Sequence, residues 1–242
     1  MDFRLVTNQC RVILSSQIET ILRELGVKYA LTLQVPPSLE SVVQSAQDRI
    51  AYKVRTYTTT PEKKLAKRSI RSKLSNQFLE LAVCHIHQDI GFGCFALQNI
   101  DKGNLIDEYS GEIVALTTTD ERRKYLFKFC PDFAGINFID SEGRFRQLYI
   151  DGEKVGNITR FINHANPGTY DYPDGNCRQA INVHAISGLN RGLSKAYLVA
   201  QRDIIKGEEL RLDYGSYFRK VLSSEVIYFL DKENLYELPR SN

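Results

Sequence analysis

The chain of 242 residues has no apolar run near the roughly 18 residues that a membrane-spanning helix needs. Its first residues lack the basic start, apolar stretch and small-residue cleavage site of a secretory signal. The expectation is a protein that works inside a cell, with no membrane partner. Five cysteines stand at positions 10, 84, 94, 130 and 177, odd in number and widely spaced, and none forms a C-x-x-C pair. They are therefore neither a disulfide framework nor a zinc ribbon. The one local cluster is Cys84-His85-Ile86-His87. His85 and His87 would share one face of a strand and could hold a metal. No other ligand lies at metal spacing, so a strand edge with two polar side chains is the stronger reading and no metal is expected. Internal repeats and low-complexity segments are absent too.

What is present describes an ordinary globular chain, 43% hydrophobic and 25% charged. The net charge of +3 is unevenly spread: residues 1–80 hold 13 Lys and Arg against 7 Asp and Glu. Most of the excess lies from Arg49 to Lys73, where nine basic residues face only Glu62. Such a run is usually a solvated helix face, and it also attracts nucleic acid or an acidic surface.

Val12 to Leu25 carries apolar residues at helical spacing and ends at Gly26, a C-cap residue. Ser38 reads as the N-cap of a second helix, and Pro61 opens a third that runs to about Leu81. Residues 1–80 are thus expected to be a small helical region. From Leu81 onward, short apolar runs alternate with Gly, Asp and Asn turns, which predicts a β-rich domain. The predicted strands are Phe92–Ala96, Leu105–Tyr109, Ile113–Leu116, Gln147–Ile150, Ala180–His184, Ala196–Ala200 and Glu209–Leu212, with Asp120–Phe129 the one helical candidate among them.

Four segments of this β-rich part carry chemistry. Gly91-Phe92-Gly93 lets backbone approach a ligand, although a bulge would use the same residues, and the third glycine of a dinucleotide fingerprint is missing. Tyr109, before Ser110-Gly111, can present a hydroxyl to a pocket or simply end a strand. Arg160-Phe161-Ile162-Asn163-His164 gathers a guanidinium, an amide and an imidazole around an aromatic ring, which suits a polar ligand with a carboxylate and an adenine-like edge; a turn with a buried Asn is the alternative. Glu209-Leu210-Arg211-Leu212-Asp213-Tyr214 ends a strand on a tyrosine before Gly215.

In this order the four resemble the SET domain family of protein lysine methyltransferases, over about Leu81 to Tyr217. The resemblance implies an α+β, mainly β fold of several small sheets with a C-terminal pseudoknot, preceded by the small helical N-terminal region. The implied division is 1–80, a SET domain at 81–217 and a C-terminal flanking segment at 218–242, expected to be helical. It further implies methyl transfer from S-adenosylmethionine to a lysine side chain. Gly91, Phe92, Gly93, Arg160, Phe161, Asn163 and His164 would serve the cofactor. Tyr214 would be catalytic, with Tyr109 second, and Tyr125 matches a looser cofactor contact. Leu212, Tyr217 and Phe218 would line the lysine channel; Leu212, where relatives often have Phe or Tyr, leaves room for more than one methyl.

The chain departs from the family pattern in that Ala165-Asn166-Pro167 follows His164, and Gly168–Gly175 reads as an insertion. Zinc-binding flanks are missing, so tail aromatics such as Tyr217, Phe218, Tyr228, Phe229 and Tyr236 either close the channel or pack a C-terminal helix. The implied partner is a lysine-bearing protein tail, a histone first, with Arg49–Lys73 meeting nucleosomal DNA. The implied place of work is the nucleus, or a host nucleus if the chain is an exported microbial protein. A non-histone substrate and a non-catalytic scaffold are the alternatives; inactive relatives lose the Asn-His pair or the tyrosine, and this chain keeps Asn163, His164 and Tyr214.

Overall fold

The computed structural model describes residues 3–46, 79–117, 125–128, 136–190, 193–214 and 226–241. Among them, short strands gather into six small sheets beside the helix Ile18–Glu24, a second helical stretch over 40–46 and a few 3-10 turns. The α+β, mainly β class expected from the motifs is the class observed.

Leu81–His87 and Gly91–Ala96 form an antiparallel hairpin in which Cys84 lies opposite Gly93. The turn into the second strand needs a left-handed residue, and Gly91 supplies it at φ +81°. A second sheet holds the site. Its five strands run in the order Asn163–His164, Arg211–Leu212, Val183–Asn190, Leu193–Ala200 and Leu105–Glu108. Arg211–Leu212 pairs in parallel with both Asn163–His164 and the start of Val183–Asn190. A third sheet sets Phe145–Asp151 against Glu112–Leu116 on one side, and against Leu126–Lys128 and Asn137–Ile139 on the other.

Three expectations are corrected. The helix read over Val12–Leu25 covers only Ile18–Glu24. Ile13–Leu14 is drawn instead into a strand against Ala82 and Val83, where pairing outweighs local helical preference. Gly26 does end the helix with φ +71°. Leu126–Lys128 is a strand rather than part of a helix, since its backbone pairs with Tyr149–Asp151. The C-terminal segment is not helical where it is described. Ile227–Asp231 and Asn234–Leu238 form a hairpin, and Arg4–Thr7 adds to its free side. The run Ile227-Tyr228-Phe229 has the β-branched and aromatic side chains that favour a pleated surface. The proposed third helix and the basic run Arg49–Lys73 lie outside the described residues.

The N-terminal part is woven into the sheets. Lys28–Tyr29 pairs in parallel with Val155–Gly156, and the Gln34 N–H donates to Gly111 O at 2.8 Å. A single core therefore contains Leu22 and Val27 together with Ile106, Ile113, Ile150, Ile162 and Leu212.

Candidate active site

The Asn163–His164 strand is delivered by the 3-10 turn Ile158–Phe161. Asn157 caps that turn: its carboxamide oxygen accepts from the Thr159 N–H at 3.1 Å and the Thr159 hydroxyl at 2.6 Å. Its Nδ2 donates to Glu108 O at 2.9 Å, which ties the turn to the strand preceding Tyr109. Phe161 then meets Phe92 edge to face, with ring centroids 5.6 Å apart. Asn163 Nδ2 donates to Phe92 O at 2.9 Å. The first and third sequence segments are thus in direct contact.

Gly93 allows this contact for a reason that spacing could not reveal. A Cβ there would stand 2.5 Å from Ile86 Cδ1 and 2.8 Å from a Glu209 carboxylate oxygen. The missing side chain makes room for Glu209, which lies against the glycine strand and accepts from Asn163 Nδ2 at 3.3 Å. At Gly91 the space where a side chain would project is open for 4 Å. The carboxamide oxygen of Asn163 has no partner among the described residues.

The fourth segment closes the site from the other side. Ala165 N–H donates to Leu212 O at 3.2 Å, and Tyr214 N–H donates to His164 Nδ1 at 3.1 Å. His164 Nε2 lies 3.3 Å from Asn166 Oδ1. One tautomer satisfies all of these groups: Nδ1 bare and accepting, Nε2 protonated and donating. Leu212 O also lies 3.3 Å from Nδ1 but has its donor in Ala165. Burial lowers the His164 pKa, and the Asn166 and Leu212 hydrogen bonds oppose that only in part. The ring is neutral at pH 7. Asn166, part of the departure from the family pattern, therefore serves to hold the His164 ring.

The Tyr214 ring lies 5.5 Å from the His164 ring, and its hydroxyl donates to Ile162 O. Tyr109 stacks on Phe127 at 4.7 Å, and its hydroxyl donates to Tyr125 O at 2.9 Å. Burial drives both phenol pKa values far up; Arg211 opposes this at Tyr214 and Arg160 at Tyr109, without overcoming it. Both hydroxyls stay protonated. Because each donates its proton to a carbonyl, its oxygen is left as an acceptor.

Arg160 is turned to the protein itself. Its Nε donates to Gly152 O at 3.0 Å and its Nη2 to Glu153 O at 3.3 Å, while the guanidinium lies 4.2 Å over the Tyr125 ring. Leu212 is buried in the central core, against which Tyr214 packs. Tyr217 and Phe218 lie outside the described residues. His85 packs on Phe92, and His87 contacts Asp89, so the two histidines do not converge.

Sequence reasoning missed a second shell of support. Asn182 Nδ2 reaches Glu208 Oε1 at 3.0 Å and Glu209 O at 2.8 Å, and its oxygen accepts from Arg211 N–H at 2.8 Å. Fully buried Glu208 also accepts from the Tyr172 hydroxyl at 3.0 Å and pairs with Arg202. Tyr172 lies in Gly168–Gly175, the stretch read as an insertion, which supplies the first strand and turn of a small hairpin between Thr169–Asp171 and Cys177–Gln179. The only advance signal was a Glu-Glu pair between apolar residues, an arrangement equally usual on a surface.

The SET domain family model matches residues 91–215, more than half of the chain, and the chain belongs to that family. It is 35% identical over 123 residues to the H3 lysine-4 specific histone-lysine N-methyltransferase of Schizosaccharomyces pombe, covering 50% of this chain and 11% of that protein. It is 27% identical over 146 residues to the histone-lysine N-methyltransferase SETMAR of Rattus norvegicus, covering 60% of this chain and 41% of that one. The chain thus matches less than half the length of either relative. The crystal structure of ATXR5 in complex with a histone H3.1 superposes with a TM-score of 0.54 at 21% identity, over 84% of this chain and 87% of that one. At that identity the likeness is one of fold.

Proposed function

We propose that the protein is a lysine N-methyltransferase that uses S-adenosylmethionine and acts on a protein tail, with a histone as substrate and the nucleus as its place of work. Residues 81–217 carry the chemistry, flanked by 1–80 and 218–242. The observation that carries this reading is the parallel pairing of Asn163–His164 with Arg211–Leu212, which sets Tyr214 beside the His164 ring. That both relatives are histone-lysine N-methyltransferases supports the reaction and the histone substrate.

When bound, S-adenosylmethionine supplies an electrophilic methyl on a sulfonium. The residues present fit such a ligand. The Asn163 oxygen, without a partner among the described residues, would accept from an ammonium, the backbone at Gly91 is open, and Phe92 and Phe161 provide an apolar wall. His164, being neutral, adds no cation to a site that must hold a sulfonium. The chain's own work on the lysine is positional. The Tyr214 and Tyr109 oxygens accept from the incoming amine and aim its lone pair. Phe127 and Leu212 make the surroundings apolar, which disfavours the ammonium and lowers the lysine pKa so that its proton leaves to water before transfer. Leu212 brings no hydroxyl to crowd the amine, so more than one methyl is added. The basic run Arg49–Lys73 meets nucleosomal DNA.

Transfer of labelled methyl onto core histones, nucleosomes and a cell lysate tests the reading. Tyr214→Phe is expected to lose on the order of 100-fold in kcat or more while still binding cofactor. Cofactor binding by the wild-type chain without incorporation into any substrate would sink the enzyme reading. Equal activity on nucleosomes and on free histones across salt concentrations would remove the DNA contact.

A further inference from the structure

Three segments meet at the buried ion pair of Glu209 and Arg211. Glu209 Oε2 accepts from Arg211 Nη2 at 2.6 Å and from the Tyr228 N–H at 3.2 Å, while Oε1 accepts from Asn163 Nδ2. Arg211 Nη1 donates to His164 O at 2.7 Å, and Nη2 also donates to Val226 O at 3.1 Å. Glu209 bridges Phe95 just before the strand Arg211–Leu212, and the ion pair itself brings the two side chains together.

Burying such a pair costs more in desolvation than attraction returns unless its hydrogen bonds are also made. Among the described residues, the partners of this pair lie on two other segments, Asn163–His164 and Val226–Tyr228, and Arg211 Nε alone is left without one. A guanidinium reaches carbonyls on both at once because its donors form a rigid fork, which a lysine ammonium lacks. The C-terminal hairpin is seated further by Leu230 N–H on Gly207 O at 2.8 Å, and by the bridge of Phe229 with Glu208. A hydrogen-bonded path thus runs from the tail hairpin through one ion pair to the carboxamide of Asn163 and the backbone of His164.

We propose that Glu209 and Arg211 are positioning residues through which the C-terminal hairpin sets the Asn163–His164 segment for cofactor binding. The inference rests on the reading that this segment holds S-adenosylmethionine, and it adds what holds the segment. The tail then acts on the cofactor site from behind, by orienting its ligands.

The experiment uses the full chain and three readouts: calorimetric Kd for S-adenosylmethionine, KM and kcat for both substrates, and amide hydrogen exchange at Tyr228. Arg211→Lys keeps the charge partner of Glu209 but cannot fork to both carbonyls. It is expected to raise the cofactor Kd and KM about tenfold, leave the lysine substrate KM unchanged, and hold kcat at saturating cofactor within about twofold. The exposed pair variant Arg23→Met is expected to change none of these. By reciprocity, saturating cofactor slows exchange of the wild-type Tyr228 amide by a similar factor. That measurement needs no variant and stands even if Arg211→Lys does not fold. The double variant Glu209→Gln with Arg211→Met, which removes both charges together, repeats the affinity test. A folded Arg211→Lys or double variant with wild-type Kd, or a Tyr228 amide indifferent to cofactor, overturns the proposal while leaving the methyltransferase reading intact. A wild-type chain that binds no cofactor overturns both.

Discussion

His164 shows how much one side chain can be asked to do. Its Nδ1 receives the Tyr214 N–H and its Nε2 faces Asn166, so ring orientation and tautomer are fixed by neighbours two and fifty residues away. That arrangement has a measurable consequence. Burial lowers the folded-state pKa below the ordinary imidazole value, so the unfolded chain takes up the proton first as pH falls. The stability contributed by the neutral ring is whole above about pH 6.5 and is lost as pH falls from there through the lowered folded value. Melting curves from about pH 8 to pH 5 should show a falling midpoint over that window, with a shallower fall in His164→Gln. An identical slope in the variant would assign the titration to other groups. Tyr214 titrates in the opposite sense. Its raised pKa keeps the phenol protonated through the neutral range, so phenolate formation has no part in the pH profile of turnover there. The identity of these residues was legible in the chain because an Asn-His pair and a Tyr before Gly are few and ordered. Their supports were not. Asn182 satisfies one group each on Glu208, Glu209 and Arg211, yet it stands in the sequence as one polar residue in an apolar stretch.

Among the elements, the glycine hairpin is the one whose sequence reading changed most in meaning. Gly93 was expected to open backbone to a ligand, and the structure fills that space with Ile86 and the Glu209 carboxylate. Gly93→Ala should therefore destabilise the chain by about 1–3 kcal/mol, the usual result of overpacking, in a chemical denaturation series. Because it pushes on the carboxylate that holds Asn163, it should also weaken cofactor binding. Gly91→Ala separates the two effects: it meets no neighbour within 4 Å and strains only its φ of +81°. A Gly93→Ala chain as stable as wild type would show that Ile86 and Glu209 yield freely. The C-terminal hairpin was unreadable for a local reason. Its two-residue turn, Lys232-Glu233, contains no Gly or Asn, and Lys232 takes the left-handed conformation at φ +58°. The strands themselves carry the β-forming run Ile227-Tyr228-Phe229, but without a turn residue nothing marked where one strand ended. Likewise, Ile13–Leu14 has a helical spacing locally, and only its partner strand near residue 82 decides otherwise.

For the whole molecule, the consequence of the shared core is cooperativity. Leu22 on the helix Ile18–Glu24 is fully buried in the same cluster as Ile162 and Leu212. Leu22→Ala should cost about 2–5 kcal/mol. That loss should appear in one transition seen equally by far-ultraviolet circular dichroism and by cofactor affinity. Two separated transitions would mean that the N-terminal segment unfolds by itself. The buried bridge of Lys195 with Glu108, which also accepts from the Leu33 N–H at 3.0 Å, binds the same two parts together through charge. Composition alone had marked a change of character near Leu81. It could not show that strands from both sides of that boundary pair with one another, because pairing partners are remote in sequence.

The narrow strand Arg211–Leu212 has one more implication, and it concerns timing. It enters between Asn163–His164 and Val183–Asn190, two strands made earlier in synthesis. Until it arrives, those strands have an unfilled gap between them and the polar groups of Asn182 lack their partners. On the proposed reading, a growing chain therefore lacks a complete cofactor site until this strand, and the hairpin Ile227–Leu238 that seats it, have left the ribosome. Contacts this distant in sequence form slowly, so refolding should recover secondary structure well before it recovers the ability to bind cofactor.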